Sequence, residues 1–244
     1  MEIQKALEVL RKGGIILYPT DTVWGIGCDA TDPSAVAKVY EIKKRADSKS
    51  LVLLASDMDM ICRYVKEVPE MAVQLVEVND KPMTIIYPGA VAGPSPVISS
   101  PSSAVVGPSP VTAGPSPVIS SPSPVISSPS PVISSEVEKS PQALPKADRH
   151  CLAFNTVAKD GTVGIRIPMM DFCQQLVAKF GRPIVSTSAN ISGEPTPKKF
   201  SEISPEIRDA VDHIVDPSLE RGSTGRSSSI IKVGLDYSIE IIRK

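Results

Sequence analysis

The chain has 244 residues, 41% of them hydrophobic but only 4% aromatic, and a formal net charge of −1. That is enough apolar material for a core built mainly from Ile, Val, Leu and Ala, while the near-neutral balance excludes a protein that is basic all over and leaves only local patches for nucleic-acid contact. No apolar run approaches the roughly 20 residues of a transmembrane helix, and the opening Met1-Glu2-Ile3-Gln4-Lys5 lacks the apolar segment of a signal peptide, so a cytoplasmic protein with no membrane partner is expected.

Ile3, Ala6, Leu7 and Leu10 share one helical face, and Gly13-Gly14 ends that helix. Ile15–Tyr18 reads as a short buried strand closed by Pro19. Asp32-Pro33-Ser34 starts a second helix that runs to about Lys44. Leu51–Leu54, Thr84–Tyr87, Val163–Ile167, Ile184–Ser186, Ser229–Val233 and Ser238–Ile242 read as further strands. Helices are expected over Asp57–Val65, Pro69–Val78, Met170–Phe180 and Pro205–Val211. Strands alternating with helices predict an α/β fold in which helices cover a sheet.

Between Pro94 and Ser135 the pattern breaks into a seven-residue repeat, clearest as Pro-Ser-Pro-Val-Ile-Ser-Ser from Pro115, Pro122 and Pro129. Proline in every copy excludes a coiled coil, because it removes a backbone donor and clashes with the preceding turn. Extended, polyproline-like chain without charge is expected instead. The expected organisation is therefore one domain over 1–90 and 143–244, about 190 residues, interrupted by a disordered insertion over 91–142. An inert insertion and a partner-docking arm both fit such a segment.

Cys28, Cys62, Cys151 and Cys173 have no paired spacing for zinc or redox chemistry and read as buried, reduced thiols. With only His150 and His213, a histidine-based metal site or triad is poorly supplied. No metal ligand set and no protein nucleophile is expected.

Several segments could bind a small polar ligand. In Pro19-Thr20-Asp21-Thr22-Val23-Trp24-Gly25-Ile26-Gly27 two hydroxyls flank a carboxylate just past a strand, where open α/β sheets bind ligands. The same residues read equally as a hydroxyl-stabilised turn with Asp21 in water. Lys43, Arg45 and Lys49 supply point charges and a fork suited to polyphosphate, although cations also favour any helix C-terminus. Ser186-Thr187-Ser188-Ala189-Asn190-Ile191-Ser192-Gly193 crowds a strand end with hydroxyls and an amide, for ligand binding or for capping. Arg166 sits among apolar residues in Gly164-Ile165-Arg166-Ile167-Pro168 and needs a carboxylate from the protein or a substrate. Gly222–Ser229 reads as an anion-binding nest or a surface loop. A phosphate loop and a dinucleotide fingerprint are both absent, which points to catalysis by positioning and charge neutralisation.

Taken in order, these clusters resemble the YrdC-like family of L-threonylcarbamoyladenylate synthases. The likeness rests on the Pro19–Gly27 loop, Lys43-x-Arg45, Pro82-Met83-Thr84-Ile85-Ile86, Gly164–Pro168, Ser186–Gly193 and the closing Ile241-Ile242-Arg243, on both sides of the repeat. The resemblance implies a single YrdC-like domain, a twisted mixed sheet with helices around a concave basic surface. It implies a nucleotidyltransferase that makes threonylcarbamoyl-AMP and pyrophosphate from ATP, L-threonine and bicarbonate, for N6-threonylcarbamoylation of a tRNA adenosine by a downstream threonylcarbamoyl transferase. Carried over by position, Thr20, Thr22, Arg166, Ser186 and Ser228 fall to threonine. Lys43, Arg45, Lys49, Thr162, Ser188, Asn190, Thr196 and Arg243 fall to ATP, with magnesium arriving on the nucleotide. Three positions depart from the family: apolar Leu54 where a histidine is frequent, Ala46 after Arg45, and Ser227-Ser228-Ser229 for Pro-Ser-Thr. The rival reading is a non-catalytic module of the same fold that binds double-stranded RNA or tRNA through phosphate contacts.

Overall fold

The computed structural model describes residues 1–44, 51–95 and 150–244. In chain order the elements are α1 (Glu2–Arg11), β1 (Ile16–Tyr18), β2 (Gly25–Gly27), α2 (Pro33–Ile42), β3 (Val52–Leu54), α3 (Met58–Tyr64), α4 (Glu70–Val78) and β4 (Met83–Tyr87). They continue with β5 (Val163–Arg166), α5 (Asp171–Phe180), β6 (Ile184–Val185), β7 (Thr187–Ser188), α6 (Pro205–Asp209), β8 (His213–Ile214), β9 (Ser229–Val233) and β10 (Ile239–Arg243).

Local chemistry explains most of the boundaries. α1 buries Ala6, Leu7 and Leu10 and ends where Gly13 adopts φ +72°, a conformation free of the Cβ penalty only in glycine. α2 opens on Asp32, whose carboxylate accepts from the Ser34 and Ala35 amides, with Pro33 in the first turn, where its missing N–H costs nothing. Asp57 caps α3 through the Met60 amide, and Gly181 at φ +77° closes α5.

Where the sequence pattern predicts one sheet, the structure has two. The four-stranded sheet runs β7-β2-β1-β8 and the six-stranded sheet β10-β9-β4-β5-β3-β6. The larger one is mixed: β5 is antiparallel to β4 and parallel to β3. β2, β7 and β8 were not foreseen because each is only two or three residues long and pairs with distant strands, leaving no period to read. β6 and β7 are separated only by Ser186, where the chain crosses from one sheet to the other; the Ser186 amide donates to Val52 O at 2.8 Å. Ser186 is therefore the covalent link at which the chain passes from the six-stranded to the four-stranded sheet.

That crossing is tight. A Cβ on Gly27 would lie 2.6 Å from Tyr18 Cε1 and 2.8 Å from Val185 O, so only glycine lets β2 approach β1 and β6 this closely.

Val91 belongs to the fold, since its amide donates to Tyr64 O and its carbonyl accepts from Leu152, while Gly93 donates to Leu152 O. The seven-residue repeat past Ser95 lies outside the described residues. Cys28 and Cys173 are buried, as expected, but Cys62 is only partly covered and Cys151 is exposed. Among the described residues no helix is long and apolar enough to cross a membrane.

Two outcomes are expected. Gly27→Ala should lower stability by about 1–3 kcal/mol through overpacking, read as a reduced urea midpoint; an unchanged midpoint would contradict the close approach. Burial pushes the Cys28 and Cys173 thiols well up from their usual range, so native alkylation near neutral pH should label Cys151 and spare these two until the chain is denatured.

Candidate active site

The site begins where β1 ends. Beyond Pro19 the Thr20 hydroxyl accepts the Thr22 amide at 3.1 Å and donates to Val23 O at 2.7 Å. Its one proton is thereby used, so in its 2.8 Å contact with Thr22 Oγ1 it must be the acceptor. Thr22 Oγ1 in turn receives a long 3.4 Å contact from Arg166 Nη2. A directed chain results, Arg166 to Thr22 to Thr20 to Val23 O. It leaves Thr22 offering lone pairs rather than a proton, which suits a donor such as an ammonium.

Arg166 closes β5 and is only 3% exposed. The carboxylate it needs comes from the protein: Nη1 donates to both oxygens of Asp21, each at 2.7 Å. Asp21 is thus buried rather than solvated, and the turn around it is the hydroxyl-stabilised form. The sequence shows each half of this pair but not the pairing, because 145 positions separate Asp21 from Arg166.

On the far side Ser228 Oγ lies 2.8 Å from Thr84 Oγ1, and Arg243 Nε donates to Ser228 O at 2.9 Å. Partial burial draws the Arg243 pKa down, but an arginine remains charged at any working pH. Tyr18 lies behind Ser186 and its phenol is pushed far up by burial, so it is not a base for this site.

These groups wall one cavity of about 260 Å³. The four-stranded sheet contributes Gly25, Thr187 and Ser188, and the six-stranded sheet Val52, Arg166, Ile230 and Arg243. Thr20, Thr22, Ser186 and Ser228, four more of the predicted residues, also line it. Trp24, Thr187 and Ser227 are additions the sequence did not single out. Trp24 is legible in hindsight as the chain's single tryptophan; its indole N–H is anchored on Glu220 at 2.6 Å. No carboxylate is among the lining residues, which are hydroxyls, apolar groups and two arginines. The volume lies just below the usual range for ligand pockets, about 300–1,000 Å³, and fits a small polar molecule. A second cavity of about 590 Å³ shares Ser227 and Arg243 with the first and adds Lys81, Arg226 and Lys244.

Four predicted residues lie off this wall. Lys43 is 2% exposed, and its ammonium donates to Ser188 O at 2.5 Å and Asn190 O at 2.7 Å. Asn190 is tied into its own loop, accepting from Ser188 Oγ at 2.6 Å and donating to Glu194 O at 2.7 Å. Lys43 and Asn190 therefore hold the loop that presents Ser188. Thr162 precedes β5, at the opposite end from Arg166, and donates its hydroxyl to Asp160 at 2.7 Å. Thr196 is half-buried in the loop after Asn190. Arg45 and Lys49 lie outside the described residues.

The family model of Sua5, YciO and YrdC proteins, described as telomere recombination, matches residues 8–113 and 124–244. The chain belongs to that family. A threonylcarbamoyl-AMP synthase of Xanthomonas euvesicatoria is 26% identical over the whole chain and 97% of its own length. One from Stenotrophomonas maltophilia is 25% identical over 92% of the chain and 88% of its own length. Among solved structures, P. abyssi Sua5 complexed with L-threonine superposes with a TM-score of 0.62 at 21% identity, over 95% of this chain and 50% of that one. E. coli YciO gives 0.62 at 20% identity, over 99% of this chain and 88% of its own. The chain thus spans about half the length of the P. abyssi protein and nearly all of YciO, with the same fold.

Removing the buried ammonium of Lys43 takes a charged donor from Asn190 O and from Ser188 O, which keeps only the Asn190 amide, at about 1–3 kcal/mol for a buried group left unsatisfied. Lys43→Met should lower the denaturation midpoint and speed hydrogen exchange at Ser192, whose amide donates to Lys43 O. Unchanged exchange there would mean that the loop does not depend on Lys43.

Proposed function

We propose that the protein is a threonylcarbamoyl-AMP synthase, using ATP, L-threonine and bicarbonate to supply threonylcarbamoyl groups for a tRNA adenosine. The observation that carries this reading is convergence. All five residues assigned to threonine, and Ser188 and Arg243 from the nucleotide set, line one cavity. Relatives bearing the synthase name match over nearly the full chain.

The chemistry asks little of the protein covalently. The threonine amine adds to bicarbonate and loses water, giving an N-carboxylate. That oxygen attacks the α-phosphorus of ATP, the bond to the β-phosphate oxygen breaks, and pyrophosphate leaves with the electron pair. What the site supplies is orientation and charge. Arg166 takes the threonine carboxylate, Thr22 accepts from its amino group, and Ser228 and Ser186 hold its polar atoms. Arg243 opposes the negative charge of the nucleotide, and Lys43 holds the Ser188 loop from behind; the sequence likeness alone assigns Arg45 and Lys49 to the phosphates. Magnesium enters as part of the nucleotide substrate, held by phosphate oxygens and water, in keeping with a lining that offers no carboxylate. The product passes to a separate transferase that acts on tRNA.

Purified protein should release pyrophosphate from ATP only when threonine and bicarbonate are both present. Arg243→Ala should reduce the rate at limiting ATP about 10–100-fold, the value of a charge-assisted hydrogen bond, whereas Lys12→Ala should leave it unchanged. Salt-sensitive RNA binding without pyrophosphate release would replace the synthase with the binding-module reading.

A further inference from the structure

We infer that Asp21 is a positioning residue for amino-acid binding, holding Arg166 in the plane that meets the substrate carboxylate. The inference rests on the reading of the cavity as a threonine site.

Arg166 lines the cavity and Asp21 does not. The aspartate stands behind the arginine, with side-chain exposures of 3% for Arg166 and 8% for Asp21. Both carboxylate oxygens hold the same nitrogen, Nη1, at 2.7 Å. A guanidinium is rigid and planar, so fixing Nη1 fixes the direction of the whole fork. What remains on the cavity side is Nη2, which reaches Thr22 only at 3.4 Å, longer than a well-formed bond. That contact is weak enough to yield to a substrate oxygen, whereas the Asp21 contact is not.

Charge points the same way. Buried without Asp21, Arg166 would carry an uncompensated charge and would draw any small anion from solution, bicarbonate and chloride included. Paired with Asp21, the guanidinium is neutralised at one end and still directional at the other. It then selects a carboxylate by geometry and not by net charge. The backbone reinforces the arrangement. Asp21 O accepts from Thr224 and Thr22 O from Gly225, so the loop bearing Asp21 is clamped to the loop that leads to Ser228.

The test is steady-state pyrophosphate release by the full chain, with Asp21→Asn and Asp21→Glu beside the wild type. Asp21→Asn should raise the threonine KM about tenfold or more, equivalent to one lost charge-assisted contact, and leave the ATP KM within about twofold. Chloride should inhibit this variant competitively against threonine and not the wild type. Asp21→Glu, which keeps the charge but displaces the fork, should fall between the two. A folded Asp21→Asn with the wild-type threonine KM overturns the inference, and so does a uniform loss in which both KM values and kcat change together. If Asp21→Asn does not fold, Asp21→Glu decides: a raised threonine KM with unchanged ATP KM supports the role, and an unchanged threonine KM overturns it. If neither variant folds, the pair is structural and the inference fails. A wild type that binds threonine calorimetrically but releases no pyrophosphate would sink the proposed reaction alone. The Asp21 variants would then be compared by threonine Kd.

Discussion

The ion pair between Arg166 and Asp21 is the constraint on which the site depends. Arg166 ends a central strand of the six-stranded sheet, and Asp21 follows the first strand of the other. Neither charge could be buried alone without a penalty of several kcal/mol, so the two sheets must meet where the pair forms. The cavity lies at that junction, and its walls come from both sheets. Ser186 fixes the approach on one flank, and the Thr224 and Gly225 amides bonded to Asp21 O and Thr22 O fix it on another.

This placement determines what the cavity can do. Its side chains are hydroxyls with assigned directions, two arginines and small apolar surfaces, without a carboxylate base or a thiol. Such a lining orients a polar substrate and compensates developing negative charge, and it offers no covalent intermediate. Catalysis by positioning beside a nucleotide is the chemistry it supports. Lys43 adds a further layer: a cation that looks like a phosphate ligand in sequence is spent on backbone carbonyls of the Ser188–Asn190 loop, so its charge sits behind the loop that meets the substrate.

The longer elements were legible in the sequence because their signals are local. The Asp32-Pro33 start, the Gly13 stop and the 3.6-residue period of α1 need no distant partner. β2, β7 and β8 were not legible, since a strand as short as Thr187–Ser188 exists only through its pairing with Gly25 and Ile26. The site divided in the same way. Arg166 announced itself as a charge among apolar residues, and the hydroxyl-rich loops announced themselves by composition. That Asp21 answers Arg166, that Thr84 backs Ser228, and that Trp24 is anchored by Glu220 are tertiary facts without a local trace. Cys151 shows the converse, since the burial habit of cysteine does not hold for it and it is exposed.

The central claim is that Arg166, oriented by Asp21, receives an amino-acid carboxylate in the cavity between the two sheets. A crystal structure of the protein grown with L-threonine tests it most directly. The account predicts threonine with its carboxylate on Arg166 and its amino group on Thr22, while the Asp21 contact persists. Threonine bound away from Arg166, or an Arg166 that abandons Asp21 to reach it, would contradict the account.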